Sequence, residues 1–284
     1  MTLDELRNRL KPPCPALDVH AHPLWSGPVS ESVPLLVEGA KRAGVEKICV
    51  STLRGGQDPS VADCRQSNDY TLAIRDAAPD VFIPFCYVNP KHPDEALAEI
   101  DRCVLGERMC GVKLWTALRT TDPGLDPIME KVAELGIPVL QHAWDKTTGN
   151  LPEESFPADV ADLARRHPKA RIIMAHLNGA GLRGIEEVAD CPNLYVDTSG
   201  GDPESGMVEA AVSALGWKRI VYGSDVTGRH FAVQMGKTLG TDLPDAVKKD
   251  ILWNNAARLM PAWAGVKPHS SRGTGDFPHE GGAA

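Results

Sequence analysis

Eight short apolar runs alternate with longer amphipathic segments along the 284 residues of this chain. A short apolar run is typical of a buried strand, and strands that alternate with helices form parallel sheets. Eight consecutive strand–helix units predict an α/β protein, a single-domain (β/α)8 or TIM barrel, which typically takes about 250 residues. The predicted strands lie at about 15–20, 46–52, 81–87, 109–115, 137–142, 171–176, 193–198 and 219–224.

Amphipathic segments fill the intervals between the strands and end in recognisable stop signals. Gly44, Gly136 and Gly216 each follow such a segment, as C-terminal cap glycines do. The predicted helices lie at about 33–43, 69–78, 94–105, 127–135, 157–167, 182–189, 204–215 and 244–260. We expect the barrel to span residues 1–266, and residues 267–284, which lack an apolar period, to form a flexible tail. A doubly wound dinucleotide fold is disfavoured because no glycine-rich turn follows the first strand.

Charge and cysteine content narrow the classes of partner and compartment. The net charge of −8 argues against nucleic acid and anionic membrane as partners, and no run of 18 apolar residues predicts a membrane span. The seven cysteines contain no C-x-x-C pair, which favours reduced thiols and a cytoplasmic location. The first 15 residues lack the apolar stretch of a secretory signal. We expect a small-molecule substrate, which could be a carboxylate, and leave a homodimer open.

Two histidines separated by one residue, His20 and His22, close the first predicted strand. Residues i and i+2 of a strand point to the same face, so the two imidazoles converge on one point. Histidine is the commonest metal ligand, and this spacing predicts a metal site. The alternative is a chance pair of half-buried histidines.

Three further metal-competent residues end predicted strands in the same way, namely His142, His176 and Asp225. Catalytic residues of barrel enzymes lie at the C-terminal ends of the strands, so all five side chains are expected at one mouth. Imidazole and carboxylate ligands without a thiolate suit Zn²⁺, with Mn²⁺, Co²⁺ or Fe²⁺ as alternatives. A divalent ion there would lower the pKa of bound water and polarise a substrate carbonyl.

The motifs at these strand ends resemble those of the amidohydrolase superfamily. The likeness is strongest to its second large branch, which includes aminocarboxymuconate-semialdehyde decarboxylase, and it extends over residues 15–262. The motifs that carry it are Asp18-Val19-His20-Ala21-His22, Gly111-Val112-Lys113-Leu114, Gln141-His142, Met174-Ala175-His176, Tyr222-Gly223-Ser224-Asp225 and Asn255-Ala256-Ala257-Arg258-Leu259.

The resemblance implies one divalent metal ion, with ligands His20, His22, His142 and Asp225. It also implies that His176 lies beside the metal-bound water and that Asp225 and His176 are the catalytic residues. In binuclear relatives, His142 and His176 instead bind a second metal ion, and a carboxylated lysine from the fourth strand bridges the two.

Lys113, near the end of the fourth strand, leaves three alternatives open. It could be that bridging carbamate, a substrate contact, or a structural lysine paired with a carboxylate. The branch usually has a histidine where this chain has Trp115, which changes the contribution of the fourth strand to the pocket.

Substrate contacts are expected from residues just beyond the strand ends. Arg54 follows the second strand, and its planar guanidinium could hold a substrate carboxylate through two hydrogen bonds. The alternative for Arg54 is a solvated loop arginine. The complete predicted substrate-binding set is Arg54, Lys113, Trp115, Asn178, Arg229 and His230.

Three functions are compatible with these residues. The first is a metal-dependent hydrolase that uses activated water on a small amide, ester or lactone. The second is a metal-dependent decarboxylase of a small unsaturated or aromatic carboxylic acid, which needs a cationic side chain for the carboxylate. The third is a barrel that binds metal or ligand without turnover, and the full set of five polar site residues argues against it.

Overall fold

The structure, a computed structural model, describes residues 2–24, 27–201 and 203–269 and confirms the predicted (β/α)8 barrel. Eight parallel strands are hydrogen-bonded in sequence order. They are β1 (Ala16–Ala21), β2 (Val45–Val50), β3 (Phe82–Tyr87), β4 (Gly111–Leu114), β5 (Pro138–Gln141), β6 (Arg171–Met174), β7 (Leu194–Asp197) and β8 (Ile220–Val221).

The last strand returns to the first and closes the ring. The amide of Val19 donates to the carbonyl of Tyr222 at 3.0 Å, and the amide of Asp225 donates to the carbonyl of His20 at 2.7 Å. Because these bonds continue beyond the two residues of β8, they bring Asp225 directly beside the end of β1. The predicted adjacency of the first and eighth strand ends is therefore present.

Helices cover the outside of the barrel. They are α1 (Leu3–Arg9), α2 (Val29–Ala43), α3 (Val61–Ala77), α4 (Pro93–Ile100), α5 (Asp126–Leu135), α6 (Pro157–Arg166), α7 (Leu177–Glu187), α8 (Met207–Leu215), α9 (Phe231–Leu239), α10 (Asp245–Lys249) and α11 (Asn255–Leu259). A π-helical stretch at Asp101–Gly106 extends α4, and another at Asp250–Asn254 joins α10 to α11. Every helix in the described part of the chain is too short or too polar to cross a lipid bilayer.

Successive side chains along each strand point alternately outward and inward, and they form two apolar layers. Val139 and Ile172 face the helices, whereas Leu140 and Ile173 belong to a buried cluster with Leu17. That second cluster draws side chains from six strands, so it fills the barrel interior. Burial of one such aliphatic side chain contributes about 1.5–3 kcal/mol to stability. This packed interior supports the strand ends from below and leaves their C-terminal mouth for polar residues.

The structure contains one helix that the sequence analysis did not predict, and it describes only the start of the predicted tail. Helix α9 is absent from the predicted helices, which place only one helix after the eighth strand, at 244–260. Its buried face carries an apolar stripe of Phe231, Met235 and Leu239, spaced i, i+4 and i+8, which the sequence analysis missed; the polar residues Gln234, Lys237 and Thr238 share that face. Of the predicted tail, residues 270–284 lie outside the described residues.

Candidate metal centre

The first cluster of site residues lies where β1 meets the segment after β8. His20 Nε2 lies 3.0 Å from His22 Nε2 and 3.6 Å from Asp225 Oδ1, and the latter two atoms are 3.9 Å apart. Ligand atoms on one ion with bonds of about 2.0–2.2 Å have separations of this size. These three residues can therefore hold one divalent cation.

The outer nitrogens of both histidines already have acceptors. His20 Nδ1 donates to Asp197 Oδ2 at 2.8 Å, and His22 Nδ1 donates to the carbonyl of Ser51 at 2.8 Å. A neutral imidazole has one N–H and one lone pair, so each Nε2 presents a lone pair. Two lone pairs that face each other at 3.0 Å repel unless a cation lies between them.

A second pair of imidazoles repeats this arrangement on the opposite wall. His142 Nε2 donates to Glu154 Oε1 at 2.7 Å, and His176 Nδ1 contacts Ser199 Oγ at 3.0 Å. Their remaining nitrogens, His142 Nδ1 and His176 Nε2, face each other at 3.1 Å. The structure thus brings His142 to His176, and the ring of His176 lies 5.0 Å, centroid to centroid, from that of His20, which is grouped with His22 and Asp225. The four-residue ligand set for a single ion stays a prediction.

Asp197, with His20 and His176, forms another cluster of close ligand atoms. Its contacts to His20 Nδ1 at 2.8 Å and to the amide of His176 at 3.0 Å are, however, ordinary hydrogen bonds. Because donors already surround both of its oxygens, Asp197 supports the histidines and does not need a metal ion.

Lys113 lies in the middle of the site and not in a solvated position. Its Nζ is 3.3 Å from His20 Nε2, and the side chain is almost completely buried. Burial lowers the pKa of this ammonium group to about 8, although the carboxylates of Asp225 and Asp197 act in the opposite direction. The position is compatible with all three alternatives for Lys113, a bridging group, a substrate contact and a structural lysine beside carboxylates, and they stay predictions.

Burial also keeps the histidines neutral, as ligands must be. It lowers the pKa of His20 and His176 well below the ordinary value and that of His22 to about 3, with Lys113 adding to the effect. Burial raises the pKa of Asp225 to about 6, against the attraction of Lys113.

Both predicted catalytic residues have a strained backbone conformation. His176 has φ 74° and Asp225 has φ 55°, which are left-handed conformations that non-glycine residues seldom adopt. The turn at His176 directs its ring into the mouth, against the loop after β7. A Cβ at Gly200 in that loop would lie 2.6 Å from the Cβ of His176, so the close approach requires glycine.

The structure does not bring the guanidinium of Arg54 to the histidines. Its NH1 donates to Gln66 Oε1 on α3 at 3.2 Å. Arg229 is exposed, and its amide donates to the carbonyl of Asp225. His230 is exposed and caps α9, since its Nδ1 accepts from the amide of Ala232. Substrate binding by Arg54, Arg229 and His230 stays a prediction.

Aromatic side chains line part of the mouth. The ring of Trp144 packs 4.8 Å from that of His176, centroid to centroid. Trp115, half-buried, follows directly after β4. The side chain of Asn178 lies outside the described residues.

Two carboxylates at the site were missed by the sequence analysis. Asp197 ends β7, so the rule that selected Asp225 could have found it. Glu154 has no such signal, because it lies in the loop between β5 and α6. Burial raises the pKa of Glu154, but hydrogen bonds from His142 and Lys146 outweigh this and hold it at about 2.

Comparison with known proteins identifies the family of the chain. A family model described as amidohydrolase matches residues 18–261. The comparison with curated proteins finds no match.

Among solved structures, 2,6-dihydroxybenzoate decarboxylase from Rhizobium is similar, with a TM-score of 0.69 and 18% identity over 87% of this chain and 98% of that one. Dihydroxybenzoic acid decarboxylase from Polaromonas sp. JS666, with bound manganese and 2-nitroresorcinol, is also similar. Its TM-score is 0.70, with 17% identity over 87% of this chain and 96% of that one. 4-Oxalomesaconate hydratase from Rhodopseudomonas palustris has a TM-score of 0.66 and 17% identity over 88% of this chain and 97% of its own.

At these identities the structural likeness shows the fold alone. The family match covers most of the barrel, including every strand-end residue of the centre. The chain therefore belongs to the amidohydrolase family, in the branch that its strand-end motifs resemble.

Proposed function

We propose that this protein is a divalent-metal-dependent hydrolase of a small ester, amide or lactone. The observation that carries the proposal is the double set of facing imidazole lone pairs, one at His20 and His22 and one at His142 and His176. Each set could bind a cation, and Lys113 Nζ lies 3.3 Å from His20 Nε2 in the first of them. The site thus fits two ions, held by nitrogen and oxygen ligands that suit Zn²⁺ or Mn²⁺.

Bound divalent cations would supply a Lewis acid for the carbonyl oxygen and would acidify a coordinated water. The chain itself supplies the proton transfer. Asp225 has its Oδ1 at the first cation position and its side chain 21% exposed, so it can reach both water and substrate. We propose that its carboxylate accepts the proton of the attacking water and then donates it to the leaving group.

Lys113 would differ in its role between a one-ion and a two-ion centre. In binuclear relatives of the superfamily a carboxylated lysine bridges the ions, and Lys113, whose Nζ lies 3.3 Å from His20 Nε2, would be that lysine here. With one ion, its ammonium group would instead contact the substrate, and His176 would act directly on substrate or water.

Decarboxylation is the second candidate, and two observations favour it. Lys113 offers a buried cation for a substrate carboxylate, and Trp144 offers an aromatic wall beside His176. Two of the similar solved structures are decarboxylases of dihydroxybenzoic acids.

Turnover in ¹⁸O-labelled water separates the two reactions. The metal-reconstituted protein would be screened against esters, lactones, amides and aromatic carboxylic acids. Hydrolysis places one labelled oxygen in the product acid. Decarboxylation releases CO₂ and leaves the ring with a solvent proton. Labelled product acid supports the proposal, and CO₂ release with no label in the organic product overturns it.

Arg54→Lys tests whether an arginine clamp operates. With a neutral substrate, and with the guanidinium on Gln66, we expect kcat/KM to stay within about two-fold of wild type and metal content to be unchanged. A loss of roughly 10-fold, about 1.4 kcal/mol, would contradict this expectation, and the same loss on a carboxylate substrate would favour the decarboxylase.

A further inference from the structure

Asp197 lies between the two halves of the centre and is fully buried. Its Oδ2 accepts from His20 Nδ1 at 2.8 Å. Its Oδ1 accepts from the amides of His176 at 3.0 Å and Ser199 at 2.8 Å. One carboxylate therefore contacts residues of both cation positions.

Ser199 extends this contact to the ring of His176. Its hydroxyl donates to Asp197 Oδ1 at 2.5 Å. A hydroxyl has a single hydrogen, so toward the rings it can only accept. It lies 3.0 Å from His176 Nδ1 and 3.2 Å from His20 Nδ1, and both nitrogens must then carry the hydrogen.

We propose that Asp197 and Ser199 are a positioning pair that sets the tautomers of two site histidines, Asp197 acting on His20 directly and on His176 through Ser199. The pair keeps both Nε2 lone pairs directed into the site. It does so without touching substrate or cation. Outer carboxylates of this kind fix ligand orientation in metal sites. The use of the lone pairs by cations rests on the proposed function, but the tautomers themselves do not.

Asp197→Asn gives a specific expectation for His20. Three donors converge on Oδ1, namely the backbone N–H groups of His176 and Ser199 and the Ser199 hydroxyl. The side-chain oxygen of Asn must therefore occupy the Oδ1 position. Its NH₂ group then faces His20 Nδ1. Two N–H groups cannot share that contact, so the hydrogen of His20 moves to Nε2 and removes its lone pair from the site.

Nitrogen NMR of ¹⁵N-histidine-labelled, metal-free protein tests the proposal. In wild type we expect His20 and His176 to carry the hydrogen on Nδ1. In Asp197→Asn, His20 should switch to Nε2, while His176 keeps its wild-type tautomer. Ser199→Ala should instead disturb His176, which loses its acceptor. As a matched control, Glu154→Gln should alter only His142, whose Nε2 it contacts.

Metal binding gives a second readout. Affinity for Mn²⁺ should fall about 10- to 100-fold in Asp197→Asn. An unchanged His20 tautomer in Asp197→Asn would overturn the proposal, and if that variant does not fold, an unchanged His176 in Ser199→Ala would do so. A wild-type protein that shows these tautomers but hydrolyses nothing would refute the proposed function and leave this inference standing.

Discussion

Asp225→Asn is expected to lower turnover at least about 100-fold, the loss typical of a residue in general acid–base catalysis. The amide cannot accept the proton of the attacking water, and it removes the only carboxylate of the first cation group. Steady-state kinetics of the metal-reconstituted variant would measure the loss.

Asp58→Asn is the matched control for this variant. Asp58 is a carboxylate in the loop after β2, 58% exposed and paired with Lys91, so its loss should leave turnover unchanged. Full activity in Asp225→Asn would show that the residue after β8 has no catalytic role.

His176→Ala should also abolish most activity, again by about 100-fold or more. Its Nε2 faces His142 Nδ1 at 3.1 Å, so its removal should release one of two metal ions and leave the ion at His20 and His22 in place. Elemental analysis beside kinetics would measure both effects.

The same variant distinguishes the one-ion alternative. If a single ion is bound and His176 acts on substrate or water, metal content stays constant while the rate falls. Normal metal content with a normal rate would make His176 a structural histidine.

Much of the fold could be predicted from the sequence because barrel strands are short, apolar and separated by amphipathic helices. All eight strands lie where these runs predict them, although β8 is only two residues long. Helix α9 could have been predicted from its apolar stripe Phe231, Met235 and Leu239, but the polar residues buried on the same face depend on tertiary contacts. The ammonium of Lys237 donates to the carbonyls of Thr198 and Gly200, which belong to the loop after β7.

Part of the candidate centre could also be predicted, since the strand ends of a barrel converge on one mouth. That rule selects His20, His176 and Asp225 from their positions alone. It does not reveal which nitrogen of an imidazole faces inward, because this depends on hydrogen-bond partners distant in sequence. Asp197 is 177 residues from His20, and Glu154 reaches His142 from within a loop.

The number of metal ions retained per chain tests the central claim most directly. Protein stripped with a chelator, reconstituted with Zn²⁺ or Mn²⁺ and freed of unbound metal would be measured by elemental analysis. The facing lone pairs predict two ions per wild-type chain and at most one in a His20→Ala, His22→Ala double variant. Wild-type protein that retains no ion, or a double variant with the wild-type content, would contradict a metal centre at these residues.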